Sequence, residues 1–303
     1  MQLRNSDPRS SAVAEPAAAR RAAVLGHPIS HSRSPLLHGA AYRLLGFDCA
    51  YEAIDLTPAQ LPGFMAAVRE SSCWAGLSVT MPLKAAMVPL MDETSELVRS
   101  LGVLNTVVVR RQPDGTVRLV GQNTDVGGII EALRHAGATP GGHAVILGGG
   151  GTAAAAAAAL AGLQVNSLSV CLRDPNKAGP ILAVARNAGL ECRVASWDDV
   201  VAELASARVV VSTLPPNAAD PIAEALDASG ARLDSQVLLD VTYDPWPSRI
   251  ASVWNERGGA IVPGLEMLIY QAVEQVRLFT GMELAEPEQV INVMCDAVGA
   301  PRR

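Results

Sequence analysis

The chain has 303 residues, of which 49% are hydrophobic and 18% are charged, so it has enough apolar material for the cores of about two domains. Its 30 acidic residues outnumber its 24 Lys and Arg residues, and the net charge of -6 provides no field to hold a polyanion, which argues against nucleic acid as a partner. The five cysteines are scattered and form no Cys-x-x-Cys pair, which argues against a disulfide framework or a zinc cage and indicates a reducing cytoplasm.

The N-terminal residues 1–20 are rich in Ser, Ala, Pro and Arg and contain no apolar run long enough for the core of a secretory signal. Asp7 and Glu15 interrupt the composition of an organelle address, so we predict a flexible, solvated tail. The longest run of small residues further on, 153–161, is mostly alanine and too short to cross a bilayer. We therefore predict no membrane segment.

From residue 21 onwards, short apolar runs typical of strands alternate with helical segments. Strands are predicted at 22–26, 51–56, 76–81, 105–111 and 116–122, and helices at 34–46, 57–71 and 84–102. A Pro-Asp-Gly turn at 113–115 joins the last two strands, which is typical of a β-hairpin. The alternation predicts a mixed, mainly parallel sheet covered by helices, and we assign 21–125 to this first αβ domain.

A second alternation of strands and helices follows a Gly-rich stretch at 137–142. Strands are predicted at 143–148, 167–173, 207–215 and 235–243. We assign 126–264 to a Rossmann-type dinucleotide-binding domain. The long amphipathic segment and the final helix within 265–303 fall outside this alternation, so we expect them to return and complete the first domain.

A glycine run near the start of the second domain lies between a strand and an alanine-rich helix. It consists of Gly148, Gly149, Gly150, Gly151, Thr152 and Ala153. The run satisfies G-x-G-x-x-A, in which glycine permits positive φ and a close backbone approach, and the helix N-terminus presents N–H groups to a pyrophosphate. The alternative is a tight strand-to-helix turn, but four glycines exceed what a turn requires. We predict a dinucleotide site.

Three charged residues follow the second strand of this unit, where a dinucleotide site contacts the adenosine ribose. Arg173 can pair with a 2′-phosphate and favours NADP. Asp174 would instead accept from a free 2′-hydroxyl and favours NAD, although Lys177 can offset its charge. We predict NADP, with NAD as the alternative. A third interpretation is that these charges only solvate a loop.

Four polar clusters, at 30–34, 78–84, 105–106 and 122–125, follow predicted strands of the first domain. Ligands collect at the carboxyl ends of parallel strands, so the clusters are expected to converge on one cleft that faces the nucleotide. Hydroxyls, amides, one lysine and one carboxylate suit a small, hydroxyl-rich substrate. The five histidines have no spacing that would place three on one metal, so we predict no metal site.

Helix capping or a turn is a sufficient explanation for Ser32, Ser34 and Thr80 when each is taken alone. It does not explain Lys84, because the macrodipole disfavours a cation in the first turn of the helix predicted there. Lys84 therefore requires a partner. Asp125 is the candidate, although it could equally cap the helix that follows it.

Eight ordered motifs can be compared with a known family. They are GHPISHSRSPLLH (26–38), GLSVTMPLK (76–84), GVLNT (102–106), GQNTD (121–125), the glycine run, STLP (212–215), DVTYDP (240–245) and GLEMLIYQA (264–272). With these motifs the chain resembles the shikimate dehydrogenase family from about residue 21 to 299. It departs from the family pattern at Ser78, where asparagine is usual, at Ala272, where glycine is usual, and at Leu172-Arg173-Asp174, where the family has Asn-Arg-Thr.

The resemblance implies a reversible, NADP-dependent reduction of 3-dehydroshikimate to shikimate in the biosynthesis of chorismate and aromatic amino acids. It implies that Lys84 and Asp125 act at the reacting oxygen. The residues implied to bind the substrate are Ser32, Ser34, Thr80, Asn105, Tyr243 and Gln271. Those implied around the cofactor, besides the glycine run and the charges at 173–177, are Thr213, Leu214, Val241 and Gly264.

In this interpretation Lys84 donates the proton to the carbonyl oxygen and Asp125 orients it. One alternative is an NAD-dependent quinate/shikimate dehydrogenase, which Asp174 would favour. A more distant alternative is a non-catalytic dinucleotide-sensing protein whose first-domain polar residues only cap helices. We expect a small-molecule substrate as the partner and a monomer or homodimer in the cytoplasm.

Overall fold

The computed structural model describes residues 20–303, so the predicted tail at 1–20 lies outside the described residues apart from Arg20, which begins the first strand instead. The described chain forms two six-stranded sheets, each flanked by helices. This confirms the predicted α/β class with an αβ domain and a Rossmann-type domain. Within the described range, no helix combines the length and the apolar character needed to cross a membrane.

The first sheet has the strand order β2-β1-β3-β5-β6-β4. Its elements are β1 (Arg20–Gly26), α1 (Ser34–Leu45), β2 (Cys49–Asp55), α2 (Leu61–Glu70), β3 (Trp74–Val79), β4 (Glu93–Thr94), α3 (Glu96–Leu101), β5 (Thr106–Arg111) and β6 (Val117–Gln122). Only β5 runs antiparallel to its two neighbours, so the sheet is mixed and mainly parallel as predicted. The central β1 is buried along residues 22–26, which is typical of a parallel strand covered on both faces.

The second sheet is fully parallel, with the order β12-β11-β10-β7-β8-β9. Its elements are α4 (Asp125–His135), β7 (His143–Leu147), α5 (Gly151–Gly162), β8 (Ser167–Cys171), α6 (Gly179–Asn187), β9 (Glu191–Ala195), α7 (Val200–Ser206), β10 (Val209–Ser212), α8 (Asp220–Ser229), β11 (Val237–Asp240), α9 (Arg249–Glu256) and β12 (Ala260–Pro263). This is the doubly wound dinucleotide-binding order. From β7 the strands β8 and β9 are added on one side, and β10, β11 and β12 are then added on the other side, so the topological switch point lies between β7 and β10.

The two C-terminal helices, α10 (Gly264–Thr280) and α11 (Pro287–Val298), pack beside the first sheet. Ile269, Val276 and Met294 share a hydrophobic cluster with Leu37 and Tyr42 of α1. Helices α10 and α4 also lie against each other, so closely that a Cβ atom at Gly128 would be 2.8 Å from the main-chain oxygen of Met267. Glycine is required there because of this approach.

The helix predicted over residues 84–102 is wrong. This segment contains a short 3-10 turn at Val88–Leu90, then β4 and the six-residue α3. Pro89 has no N–H for an i to i−4 hydrogen bond, so it interrupts the helical pattern. Tertiary bonds also hold the segment, since the Asp92 carboxylate accepts from the Arg69 guanidinium and from the main-chain N–H of Leu119. Strand β9 was not predicted either, because it is short and its exposed and partly buried residues carry mixed polarity.

Stability should fall in weak acid because of one buried histidine, His38 of α1. Its Nδ1 lies 3.0 Å from the Ser34 carbonyl oxygen, its ring stacks on Tyr51 and lies near Tyr42 and Phe279, and its Nε2 has no partner among the described residues. Burial lowers the pKa of His38 from 6.5 to about 4. Between pH 6.5 and pH 4 the His38 side chain is therefore protonated in the unfolded chain and neutral in the folded chain. The free energy of unfolding falls as pH falls from about 6.5 towards 4.

We expect this histidine to reduce the free energy of unfolding by about 2 kcal/mol between pH 7 and pH 5. Urea denaturation of wild type and of His38→Gln at both pH values measures the effect, because glutamine carries no titrating group. His135→Gln, at an exposed position, is the matched control. Equal pH dependence in wild type and His38→Gln would contradict the assignment.

Candidate active site

A cavity of roughly 200 Å³ opens between the two sheets, at the carboxyl ends of their strands. Both domains supply its walls, since Ser78 and Val79 end β3, Thr152 lies in the first turn of α5, and Tyr243 follows β11. Of the residues implied to act on or bind substrate, it brings together Ser34, Thr80, Lys84, Asn105, Asp125, Tyr243 and Gln271. Among residues 20–303, no three His, Cys, Asp or Glu side chains are grouped to hold a metal ion.

The Lys84 ammonium lies in this cavity and pairs with Asp125. Its Nζ is 2.5 Å from Asp125 Oδ2, and the two side chains are only 14% and 7% exposed. The Nζ also lies 3.5 Å from Thr152 Oγ1, at the start of the helix that follows the glycine run. Because residue 84 is in a turn and not in a helix, the predicted conflict with a helix dipole does not arise. The lysine nevertheless has the predicted partner.

Asp125 uses both carboxylate oxygens inside the site. While Oδ2 accepts from Lys84, Oδ1 accepts from the Asn105 amide at 2.8 Å. Asp125 is the first residue of α4, after Thr124 at the N-cap position, and its own N–H donates to Asn123 Oδ1. A carboxylate in the first turn is stabilised by the helix dipole. Asp125 therefore pairs with the lysine, and it does not cap the helix, because Thr124 is the N-cap residue and both Asp125 oxygens accept from side chains.

Main-chain groups fix the orientation of the Asn105 and Gln271 amides. The Thr124 N–H can only donate, so the atom it contacts at 2.8 Å must be Asn105 Oδ1. Asn105 Nδ2 then donates to Asp125 and lies 3.2 Å from Gln271 Oε1. The Leu268 carbonyl accepts from Gln271 Nε2 at 2.9 Å. The Nε2 atom carries a second hydrogen, with which Gln271 can donate to a ligand.

Two predictions about serine positions need correction. Ser32 does not line the cavity, and its Oγ accepts from the Ser34 N–H at 3.3 Å. Ser34 is not the N-cap of α1, because Arg33 occupies that position and Ser34 is the first helical residue. The buried Ser34 thus faces the cavity, while Ser32 supports the turn that leads into the helix.

Tyr243 lines the cavity from the second domain, three residues after the buried Asp240 at the end of β11. Burial raises the pKa of the Tyr243 phenol, and the positive charge of Arg33 opposes that shift. Burial also raises the pKa of Asp240, although its carboxylate accepts from Ser248 and from the Thr242 N–H. The tyrosine is therefore protonated at neutral pH and can donate a hydrogen bond to a ligand.

The glycine run fits a dinucleotide phosphate. Gly148 has φ +111°, and a Cβ atom there would lie 2.5 Å from Thr213 Oγ1, which itself donates to the Leu147 carbonyl. Helix α5 begins at Gly151, and no described side chain caps its N-terminus, so its positive end is open to an anion. Ala153 is fully buried, which lets the helix lie close to the sheet.

The remaining predicted cofactor residues surround this loop. Lys177 and Leu172 pack beside Gly149. Arg173 is exposed, whereas the Asp174 carboxylate accepts from the main-chain N–H and the side-chain amide of Asn176 at 3.2 and 3.1 Å. On the other side of the loop, Leu214 is buried, and Val241 and Gly264 line the cavity. Asp174 thus stabilises the turn at 175–178 through Oδ1, and its Oδ2 accepts no hydrogen bond from the described residues.

Comparison with known proteins agrees with this geometry. The family model for the shikimate dehydrogenase substrate binding domain matches residues 24–107, and that for the shikimate 5'-dehydrogenase C-terminal domain matches residues 264–291. The shikimate dehydrogenase (NADP(+)) of Methylobacterium radiotolerans is 35% identical over 285 residues, which cover 92% of this chain and 98% of that protein. The chain belongs to the shikimate dehydrogenase family. The resemblance inferred from the motifs is confirmed.

Solved structures of family members have the same fold. Shikimate 5-dehydrogenase from Thermus thermophilus in complex with NADP(H) and shikimate aligns over 92% of this chain and 99% of its own, with a TM-score of 0.74 and 32% identity. Quinate dehydrogenase from Corynebacterium glutamicum in complex with NAD aligns over 92% and 99%, with a TM-score of 0.78 and 28% identity. The fold therefore accommodates both cofactors, and the choice between them depends on individual side chains.

Three polar residues of this shikimate dehydrogenase site had been given no role, although Ser78 lay in the predicted polar cluster 78–84. Ser78 lines the cavity at the position where the family usually has asparagine, Gln275 lines it from α10, and the Tyr51 hydroxyl lies 2.6 Å behind Ser78. Gln275 is four residues, about one helical turn, after Gln271, and that spacing was a usable signal. Tyr51 lies in a strand of alternating exposure, and nothing in its local sequence indicates a role in the site.

Proposed function

We propose that the protein catalyses the reversible reduction of 3-dehydroshikimate to shikimate with NADPH. The observation that carries this proposal is the Lys84–Asp125 pair, which lies in a cavity of neutral donors and acceptors and contacts Thr152 in the first turn after the glycine run. The protein is an NADP-dependent oxidoreductase acting on a CH–OH group, as its curated relatives are. We keep the predicted cytoplasmic location and the monomeric or dimeric state as predictions.

The reduction adds a hydride to a carbonyl carbon and a proton to its oxygen. The nicotinamide supplies the hydride when it is bound, and the glycine run with Thr213, Leu214, Val241 and Gly264 would hold the cofactor. The Lys84 ammonium donates the proton as the carbonyl oxygen gains charge. Asp125 fixes the position of Nζ, so that a hydrogen on it can face the substrate oxygen. In the oxidation direction Lys84 acts as the neutral amine and accepts the proton of the substrate hydroxyl.

The substrate is held by neutral groups around this pair. We infer that Ser34 binds the substrate carboxylate, and that Thr80, Asn105, Tyr243 and Gln271 contact the ring, since all five line the cavity. Neutral hydroxyl and amide groups recognise ring hydroxyls without the desolvation cost of further charges. Ser32 acts through its bond to the Ser34 N–H and supports the carboxylate end of the site.

The cofactor assignment rests on two charges at the ribose end. Arg173 is exposed and can pair with a 2′-phosphate, while the Asp174 carboxylate is engaged by Asn176. The NAD-dependent quinate alternative, which Asp174 favours, is decided by the assay below. The non-catalytic alternative is disfavoured, because Lys84 and Asp125 form a buried ion pair that lines the cavity, and Thr124, not Asp125, is the N-cap residue of α4.

One assay tests this function directly. The purified protein is given shikimate or quinate with NADP or NAD in all four pairings, and reduced nicotinamide is followed by absorbance. We expect rapid turnover with shikimate and NADP only. Turnover that prefers quinate or NAD would overturn the substrate or the cofactor assignment, and no turnover in any pairing would support the non-catalytic alternative.

Replacing Arg173 with alanine should raise the KM for NADP about 10–100-fold, the loss expected for a charge-assisted hydrogen bond to phosphate. The KM for NAD should change little, because NAD has no 2′-phosphate. Arg186→Ala, an exposed substitution on α6, is the control for loss of positive charge. An unchanged NADP-to-NAD preference in Arg173→Ala would contradict the assignment.

A further inference from the structure

Behind the cavity wall, a chain of hydrogen bonds joins Tyr51, Ser78 and Gln275. The Tyr51 hydroxyl donates to Ser78 Oγ at 2.6 Å, and Ser78 Oγ donates to Gln275 Oε1 at 2.7 Å. Gln275 Nε2 in turn donates to the Asn105 carbonyl at 3.1 Å and to Thr106 Oγ1 at 2.8 Å. Ser78, Asn105, Thr106 and Gln275 are all buried. Of the three, Ser78 and Gln275 line the cavity, and Tyr51 lies behind them.

The direction of each bond in this chain is fixed. A main-chain carbonyl can only accept, so the Gln275 atom that contacts Asn105 is the amide nitrogen, and the atom that faces Ser78 is the oxygen. The single hydrogen of Ser78 is therefore given to Gln275. Burial raises the pKa of the Tyr51 phenol, so Tyr51 keeps its hydrogen at neutral pH and donates it to Ser78.

A serine hydroxyl has one hydrogen and two acceptor positions. In Ser78 the hydrogen is used by Gln275 and one acceptor position is used by Tyr51, which leaves the second acceptor position for the cavity. We propose that Tyr51 is a positioning residue: with the Ser78 hydrogen held by Gln275, the bond from Tyr51 fixes the remaining acceptor position of Ser78 towards the cavity, so that this wall selects a substrate carrying a hydroxyl group there. The proposal rests on the proposed function and adds a specificity determinant to it.

The selected group is one of the two substrate hydroxyls that are not oxidised. An analogue without that hydroxyl would lose one hydrogen bond to Ser78 in a buried site, while Ser78 would keep its bonds to Tyr51 and Gln275. An asparagine at this position, as is usual in the family, would present both a donor and an acceptor. Ser78, whose hydrogen is given to Gln275, presents only an acceptor, so the wall is more selective than an amide.

The test compares wild type, Tyr51→Phe, Ser78→Ala and the double variant, using shikimate and two analogues that each lack one of the non-reacting ring hydroxyls. We expect wild type to favour shikimate over one analogue by tenfold or more in kcat/KM. In Tyr51→Phe this preference should fall at least threefold, through KM rather than kcat. In the Ser78→Ala background, Tyr51→Phe should change the preference less than twofold.

Tyr42→Phe is the matched control, because Tyr42 lies in the same aromatic cluster and its buried hydroxyl has no partner among the described residues. It should leave the preference unchanged. A wild-type preference retained in Tyr51→Phe, or an equal effect of Tyr51→Phe with and without Ser78, would overturn the proposal. Wild-type turnover of shikimate with NADP tests the proposed function separately, so the two failures are distinguishable.

Discussion

Replacing Lys84 with alanine is expected to lower kcat about 10²–10⁴-fold, the usual contribution of a positioned proton donor. The KM for shikimate should change only a few-fold, since the cavity retains its neutral hydrogen-bonding groups. The substitution leaves Asp125 without its cation, but Asn105 still donates to Oδ1, so the carboxylate keeps a partner. Steady-state kinetics with shikimate and NADP, together with a thermal unfolding curve to verify folding, measure the effect.

The chain contains one other lysine, Lys177, which provides the control. Lys177 is exposed and packs beside Gly149 of the glycine run. Lys177→Ala should leave kcat at saturating NADP unchanged and affect only the KM for the cofactor. A loss of less than threefold in kcat for a folded Lys84→Ala protein would remove Lys84 from the catalytic assignment.

Replacing Asp125 with asparagine is expected to lower kcat about 10²-fold through misplacement of the lysine. Asparagine keeps the size of the side chain and can still accept from Asn105 through its oxygen. Its amide group would then face the Lys84 ammonium, so two donors would meet where an acceptor and a donor met before. The ammonium would move away from the position that Asp125 gives it.

The double variant Lys84→Ala/Asp125→Asn separates a positioning role from an independent one. Because Asp125 acts through Lys84, the double variant should be little slower than Lys84→Ala alone. Kinetics of the four proteins under one set of conditions give the coupling directly. Additive losses, or an Asp125→Asn protein with kcat within threefold of wild type, would contradict the positioning role.

The fold could be predicted because its signals are local and repeated. The alternation of apolar runs and helical segments, and a glycine run placed between a strand and a helix, gave the two-domain α/β architecture and the phosphate loop. The segment 84–102 was mispredicted because Pro89 interrupts its helical pattern and because Asp92 bonds to Arg69 of α2 and to Leu119 of β6. Such tertiary competition is not visible in a local window of sequence.

The site was predictable where a residue type is hard to explain structurally. Lys84 required a partner and Asp125 was available, so the pair could be inferred from their positions along the chain. Ser32 and Ser34 could not be separated in this way, since both are small hydroxyl residues before a helix and only the fold decides which one faces the cavity. Tyr51 and Gln275 contribute through contacts with residues 27 and 170 positions away in the chain, respectively.

The close contact between α4 and α10 has a consequence for motion. The chain leaves the first domain through α4 and returns to it through α10, so both connections are helices rather than loops, and they touch at Gly128 and Met267. Asp125 and Gly264 lie at the first turns of these helices and at the cavity. Any rotation of one domain relative to the other therefore has to pass through this helix pair. Such a rotation would change the 3.5 Å separation between Lys84 Nζ and Thr152 Oγ1.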